Sequence, residues 1–329
     1  YSIPMNVAMG RRFGLDWIVT TDHGGPGHSK INLEDAYPEL LDSREAIPEM
    51  IQFMGMEFDT PGADHSSLIM PFGSNESEDL YGIESRFNKA EPWPADPSWD
   101  SEERMIEALD WMDSMEQKPL VIAHHPSRSA KGAGEYGMTE PSELRSWNNA
   151  APEIAIGMEG APGHQAIAQI RDRFGSSLYV KFLGDQRPRG LYGSFIGGYP
   201  TLGGFDQMTA QLGGFWDSML GEGRAWWITA NSDSHVHWTD GGVDFWPGEY
   251  SKTYVLAEKN HESIFSSIRG GKMFVTTGDL VSEIWFSVSS AETSVSIGET
   301  LETPLGTDIW IEVKVLDPEN LNHNGQNPK

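Results

Sequence analysis

The chain has no cysteine in its 329 residues. Disulfides and thiolate-bound metals are therefore excluded, and any metal has to sit on His, Asp and Glu. Basic residues are scarce as well: 23 Lys and Arg face 49 Asp and Glu, a formal charge of −26. A duplex nucleic-acid surface needs clustered Lys and Arg to meet phosphates, and an anionic membrane asks for the same, so neither is an expected partner. The acidity still leaves room for a phosphorylated small molecule, because bound divalent cations reverse the local field. Long apolar runs are missing too. No stretch approaches the ~20 residues of a membrane span, so no membrane insertion is expected. No signal peptide is visible, yet the chain opens at Tyr1 without Met and enters a helical pattern at once, which suggests that a leader and more were removed. The absence of thiols beside 12 Trp and 20 Pro suits a periplasmic or secreted protein, with the cytoplasm as the other option.

What is present is an alternation of apolar, β-rich runs with helical patterns. Residues 3–13 read as a helix ended by Gly14, and Leu15 to Thr20 as a buried strand. Further strands are expected at Phe53–Phe58, Ser66–Pro71, Pro119–Ala123, Ile154–Met158, Leu178–Leu183, Ala225–Ala230 and Thr253–Ala257. Helices are expected from Ser101 to Met115, Gln165 to Phe174, Phe205 to Met219 and Glu262 to Arg269, the last stopped by Gly270-Gly271. Residues 74–100, rich in Pro, Asp, Glu and Ser, read as a surface insertion, and 190–204 as a Gly-rich aromatic loop. Strands alternating with helices imply parallel βαβ units and an α/β barrel over residues 1–279. From Leu280 the pattern changes to short strands split by turn-formers, which predicts the start of a small β-sandwich-like domain over 280–329.

Three polar clusters each end an apolar run: Thr21-Asp22-His23, Ala123-His124-His125-Pro126 and Asn231-Ser232-Asp233-Ser234-His235. A lone histidine near a strand end is more often structural than a ligand. Here a set of six, His23, Glu57, His65, His125, Asp233 and His235, lies at or just beyond expected strand ends. Metal sites need imidazoles and carboxylates converging from different strands, so the set predicts a metal-dependent hydrolase. Glu57, inside Met54-Gly55-Met56-Glu57-Phe58, would be costly to bury without a charged partner. His124 and His125 are neighbours, and on a strand they would face opposite sides. Arg128 and Lys131 are placed to hold a substrate anion or to be solvated loop charges. His164 could face the pocket or cap a helix, and His28 and His237 could support ligands or protonate a leaving group. Trp226-Trp227 and Trp238 to Trp246 read as packing and lid residues.

The ordered motifs resemble the polymerase-and-histidinol-phosphatase (PHP) family. Gly14 to His23 is similar to its strand that delivers Thr-Asp-His, Gly55-Met56-Glu57 to its bridging-glutamate motif, His65 to the histidine that follows, His125-Pro126 to its His-Pro motif, and Asp233-Ser234-His235 to its closing Asp-x-His. Gly157-Met158-Glu159 resembles its Gly-x-Glu strand, whose glutamate is not usually a ligand. The resemblance spans about residues 1–280 and implies a distorted (β/α)7 TIM-like barrel with two or three divalent ions, Zn, Mn or Fe. It also implies cleavage of phosphate mono- or diesters by a hydroxide held between metals. Under it, Glu57 bridges two ions, His65 and His125 serve one, Asp233 serves the other, and His23 and His235 serve a third or hold the phosphate. The catalytic set so implied is His23, Asp233 and His235, to which Arg128, read from its place just past a strand, is added as the nearby cation. The family begins with a His-x-His strand, which is expected upstream of Ser2; trimming of the chain or a degenerate, non-catalytic binding module would each explain its absence. The same site could cleave a carbamate, an amide or a carboxylic ester.

Overall fold

A computed structural model describes residues 2–130, 134–163, 199, 201–202, 204–234, 246–278 and 280–316. Expectations that fall on 165–174, 178–183, Lys131, His164, His235, His237 and Trp238 lie outside the described residues.

The first helix, α1 (Ile3–Arg12), starts where the Ser2 hydroxyl accepts from the Met5 N–H, and the chain turns away at Gly14, whose φ of 85° favours glycine. It leads into β1 (Trp17–His23). Next come α2 (His28–Ile31), a π-turn at 32–36, α3 (Tyr37–Ala46), β2 (Ile51–Asp59) and β3 (His65–Ile69). Then follow α4 (Glu76–Phe87), α5 (Glu102–Asp113), β4 (Leu120–Ala123), α6 (Pro141–Ala150) and β5 (Ala155–Ala161). After these the described chain forms α7 (Gln207–Ala210), α8 (Phe215–Gly221) and β6 (Trp227–Ala230).

Strands β1 to β6 form one curled sheet in chain order, a half-barrel of mixed α/β type. Pairing is parallel between β1 and β2, β4 and β5, and β5 and β6, but β3 runs antiparallel to both β2 and β4. The all-parallel expectation fails at β3 for a local reason. Only residues 60–64 separate β2 from β3, a length that closes a tight turn and is far too short for a parallel crossover. Among the described residues no strand pairs with the outer edge of β1, so the sheet curls without closing. Beside β6 stands an antiparallel pair, β7 (Ser251–Val255) and β8 (Met273–Thr277), joined by α9 (His261–Arg269). The Thr253 hydroxyl ties β7 to both main-chain groups of Ala230.

Two apolar layers flank the sheet. Outward side chains such as Met54, Met56 and Phe58 meet helical residues including Leu80, Ile83, Leu109 and Trp147. Residues 74–100 are thus only partly a surface insertion, since α4 buries Leu80, Ile83 and Phe87 in the core. Inward side chains Ile51, Phe53, Ile69, Leu120, Ile122 and Ile156 pack on Ile264, Phe265 and Ile268 of α9, which plugs one end of the half-barrel. Full burial of each such side chain contributes about 1.5–3 kcal/mol. The expected helix over 205–219 is two short helices, broken at Gly213, whose φ is 71°. Beyond the half-barrel, β9 (Glu283–Ser289), β10 (Ser294–Val295) and β11 (Trp310–Leu316) make a three-stranded antiparallel sheet.

Candidate metal centre

The apolar plug at one end leaves the other end of the half-barrel for polar side chains. Strand periodicity sets them there: along β2, Ile51 and Phe53 face the inner core, so the same face carries Gly55, Glu57 and Asp59 upward in turn. Gly55 is required by close approach, because a Cβ there would lie 2.4 Å from the Leu68 carbonyl oxygen and 2.8 Å from Val19 Cγ1. The reversal of β3 has a functional consequence. Its first residue, His65, pairs with Asp59 at the end of β2, and Ser66 pairs with Ala123 at the end of β4. An antiparallel strand thus delivers its N-terminal residue to the rim where its neighbours deliver their C-terminal ones. His23 closes β1 opposite Glu57.

Glu57 is the hub of the cluster. Its Oε1 lies 2.8 Å from His65 Nδ1, 3.3 Å from His125 Nε2 and 3.6 Å from His124 Nδ1. Asp59 lies 3.3 Å from His65 Nε2 and 3.8 Å from His23 Nδ1. Asp64 lies 3.8 Å from His65 Nδ1 and 3.7 Å from His125 Nδ1. Three close triads result, each able to hold a cation: His23 with Glu57 and His65, Glu57 with His124 and His125, and Asp64 with His65 and His125. Glu57, Asp64, His124 and His125 are buried, while His23 is exposed at the mouth.

Of the sequence-expected set, His23, Glu57, His65 and His125 come together. Asp233, held at a φ of 52°, lines the same cavity but joins none of the close triads among the described residues. His235 lies outside the described residues. Arg128 sits beside the cluster, with Nε and Nη2 both on the Asp64 carboxylate. Sequence reasoning missed two members, Asp59 and Asp64, and left His124 open against His125. The first was signalled by its place two residues after Glu57 on one strand face, the second by adjacency to His65. His124 and His125 both reach the centre because β4 ends at Ala123 and the chain turns at His125, where φ is 26°. Opposite-face alternation applies to a strand and ceases where the strand does.

Main-chain and carboxylate contacts hold this turn. The His124 N–H donates to the His65 carbonyl at 2.8 Å, and the His125 N–H to the buried Glu159 at 2.7 Å. Ser127 donates through both its N–H and its hydroxyl to Asp206, which also accepts from the Tyr199 hydroxyl. The Ser67 hydroxyl pairs with His124 Nε2.

Charge follows from this packing. Burial opposes ionisation of Glu57, but His124, His125 and His65 outweigh it and hold its carboxyl well below the usual range. Burial likewise resists protonation of His65, yet Asp59 and Glu57 lift it to about 9. His124 is raised against burial by Glu57 and Glu159, whereas burial wins at His125 and lowers it. Burial raises Glu159 to about 8, with the Asp233 charge adding to the rise. The centre therefore stabilises positive charge on two of its imidazoles.

A divalent cation fits this donor set. His65 Nδ1 and His125 Nδ1 are buried without a hydrogen-bond partner, although His65 Nδ1 is only 2.8 Å from a carboxylate oxygen. Nitrogens gathered around carboxylates without aligned hydrogen bonds suit a shared divalent ion. A cavity of about 350 Å³ opens on the cluster, with His23, Glu57, His124 and Asp233 at its polar end and Trp17, Ile69 and Ile122 along its apolar walls. No protein-family model matches the chain, and no curated protein is found similar to it.

Proposed function

We propose that the chain is a metal-dependent hydrolase of the PHP type, a distorted (β/α)7 barrel that cleaves phosphate mono- or diesters. The observation that carries this reading is the convergence of His23, His65, His124 and His125 on Glu57, Asp59 and Asp64, with buried imidazole nitrogens left without hydrogen bonds. Two or three Zn, Mn or Fe ions on these residues would lower the pKa of water from ~15.7 to about 7 and offset charge developing on the ester. The residues' own tasks follow from their places. Glu57, shared by two triads, would help hold the cations and carries negative charge that would attract them. His125, lowered by burial, offers a neutral nitrogen, and His65 and His124 would offer theirs once their protons leave. Glu159 fixes the turn that presents His125, and Asp206 fixes Ser127 two residues further on. Asp233 lines the same cavity and would add a further carboxylate there.

The test is hydrolysis of an aryl phosphate and of the matching aryl carboxylate by protein as purified, after chelation, and after return of Zn or Mn. Phosphate-ester turnover that disappears on chelation and returns with metal supports the reading. Preference for the carboxylate would favour an acyl-ester hydrolase on the same site, and chelated protein with full activity would sink the metal mechanism altogether.

A further inference from the structure

We propose that β11 is a self-pairing edge, through which two copies of the chain join antiparallel about a twofold axis at Val313. The inference is independent of the hydrolase reading and concerns the three-stranded sheet beyond the half-barrel.

The strand order of that sheet is β10-β9-β11. Among the described residues, β11 is therefore paired with β9 on one side and with no strand on the other. Such an edge presents a row of main-chain donors and acceptors that templates a further strand. Edges are commonly blunted by proline, by a bulge or by a charge on the apolar face. β11 has no proline and keeps unbroken register with β9 over its seven residues. Its two charges, Glu312 and Lys314, share the opposite face and lie 2.9 Å apart.

Alternation separates the faces. Ile311, Val313 and Val315 stand opposite Val288, Phe286 and Ile284 of β9, which makes one face wholly apolar. Trp310, Glu312, Lys314 and Leu316 lie on the other. Exposure is uneven across the apolar face: its β9 side chains are half-buried, while Ile311, Val313 and Val315 keep 54–63% exposure. The uncovered apolar surface therefore runs along the free edge.

The strand's own sequence specifies its mate. With the axis at Val313, Ile311 lies opposite Val315 of the second copy, Trp310 opposite Leu316, and Glu312 opposite Lys314. Every apolar side chain then meets an apolar one, and each charge meets its opposite. A slip of two residues sets Glu312 against Glu312 or Lys314 against Lys314, and a slip of one puts the apolar face of one strand beside the charged face of the other. Twofold pairing consumes both free edges, so the assembly closes at two copies.

The experiment uses the full chain at about 0.15 M salt. In sedimentation equilibrium, wild type is expected to pass from monomer toward dimer as concentration rises. Glu312→Lys and Lys314→Glu each set like charges opposite one another, and each should weaken the dimer roughly tenfold. An equimolar mixture of the two variants restores opposite charges across the axis, so mixing should recover wild-type association. Register is read by cross-linking. The chain has no cysteine, so Val313→Cys carries a single thiol, and two such thiols at the axis are within disulfide reach. The thiols of Ile311→Cys would stand roughly 14 Å apart in the same dimer, beyond that reach. Under oxidation, Val313→Cys should form a covalent dimer and Ile311→Cys should not, with circular dichroism showing the wild-type fold in both. Monomeric wild type together with no cross-link from Val313→Cys overturns the proposal. So does a wild-type dimer that both charge variants leave intact, or one that Ile311→Cys cross-links in place of Val313→Cys, because another surface or register then holds it.

Discussion

His65 is the ring on which the charge of the centre turns. It lies 2.8 Å from Glu57 and 3.3 Å from Asp59, and these carboxylates lift it from 6.5 to about 9 against the opposing effect of burial. A base raised on folding contributes stability that is fully present below its unfolded pKa and is lost as pH rises through its folded one. The window is therefore about 6.5 to about 9. At roughly 1.4 kcal/mol per pH unit, that span corresponds to about 3 kcal/mol in cation-free protein. His65→Gln removes the titrating ring and keeps a polar side chain of similar size. Denaturant unfolding of chelated wild type and variant, from about pH 6 to about pH 10, isolates the contribution as a difference. Wild type should lose about 3 kcal/mol relative to the variant as pH rises through the window. A difference that stays flat refutes the assignment of the proton to His65. The same proton must leave before a cation can bind, so affinity for Zn should climb about tenfold per pH unit below about pH 9. A pH-independent affinity would refute the claim that the cation and the proton share this ring.

Other consequences are as concrete. Asp59→Asn removes a carboxylate that contacts both His23 and His65, and metal affinity should fall roughly 10- to 100-fold in a competition titration, with the melting curve of chelated protein preserved in shape. Gly55→Ala forces a Cβ to within 2.4 Å of a main-chain oxygen, and unfolding should show a loss of about 1–3 kcal/mol or more. Glu143, 6% exposed on α6, is raised to about 7, first by burial and then by Glu102 and Glu140. An acid raised on folding costs stability as pH climbs from about 4.5 to about 7, so Glu143→Gln should gain on wild type by up to about 3 kcal/mol across that window and by nothing below it.

Much of the centre was legible because strand ends carry their polar residues in sequence. His23, Glu57, His65 and His125 were each marked by a β-rich run beside them, and all four converge. The six described sheet strands were also expected, since apolar runs of four to nine residues stand out between helical patterns. What could not be read was direction. His65 opens its strand, and only the five-residue turn before it makes that strand antiparallel and brings the ring to the shared rim. The choice between His124 and His125 stayed open because the alternation argument holds within β4 and fails past Ala123, where the backbone of His125 enters positive φ. Asp64 was signalled only by adjacency to His65, and its place beside His125 needed the fold. The helix at Glu76–Phe87 was hidden by the polar composition around it, although Leu80, Ile83 and Phe87 already carry helical spacing.

The central claim is that Glu57 gathers divalent cations. Elemental analysis of purified wild type and Glu57→Gln, after equilibration with Zn or Mn and removal of free ion, tests it most directly. The account predicts about two bound equivalents in wild type and their loss in a variant that remains folded. Equal metal content in the two proteins, or none in either, would contradict it.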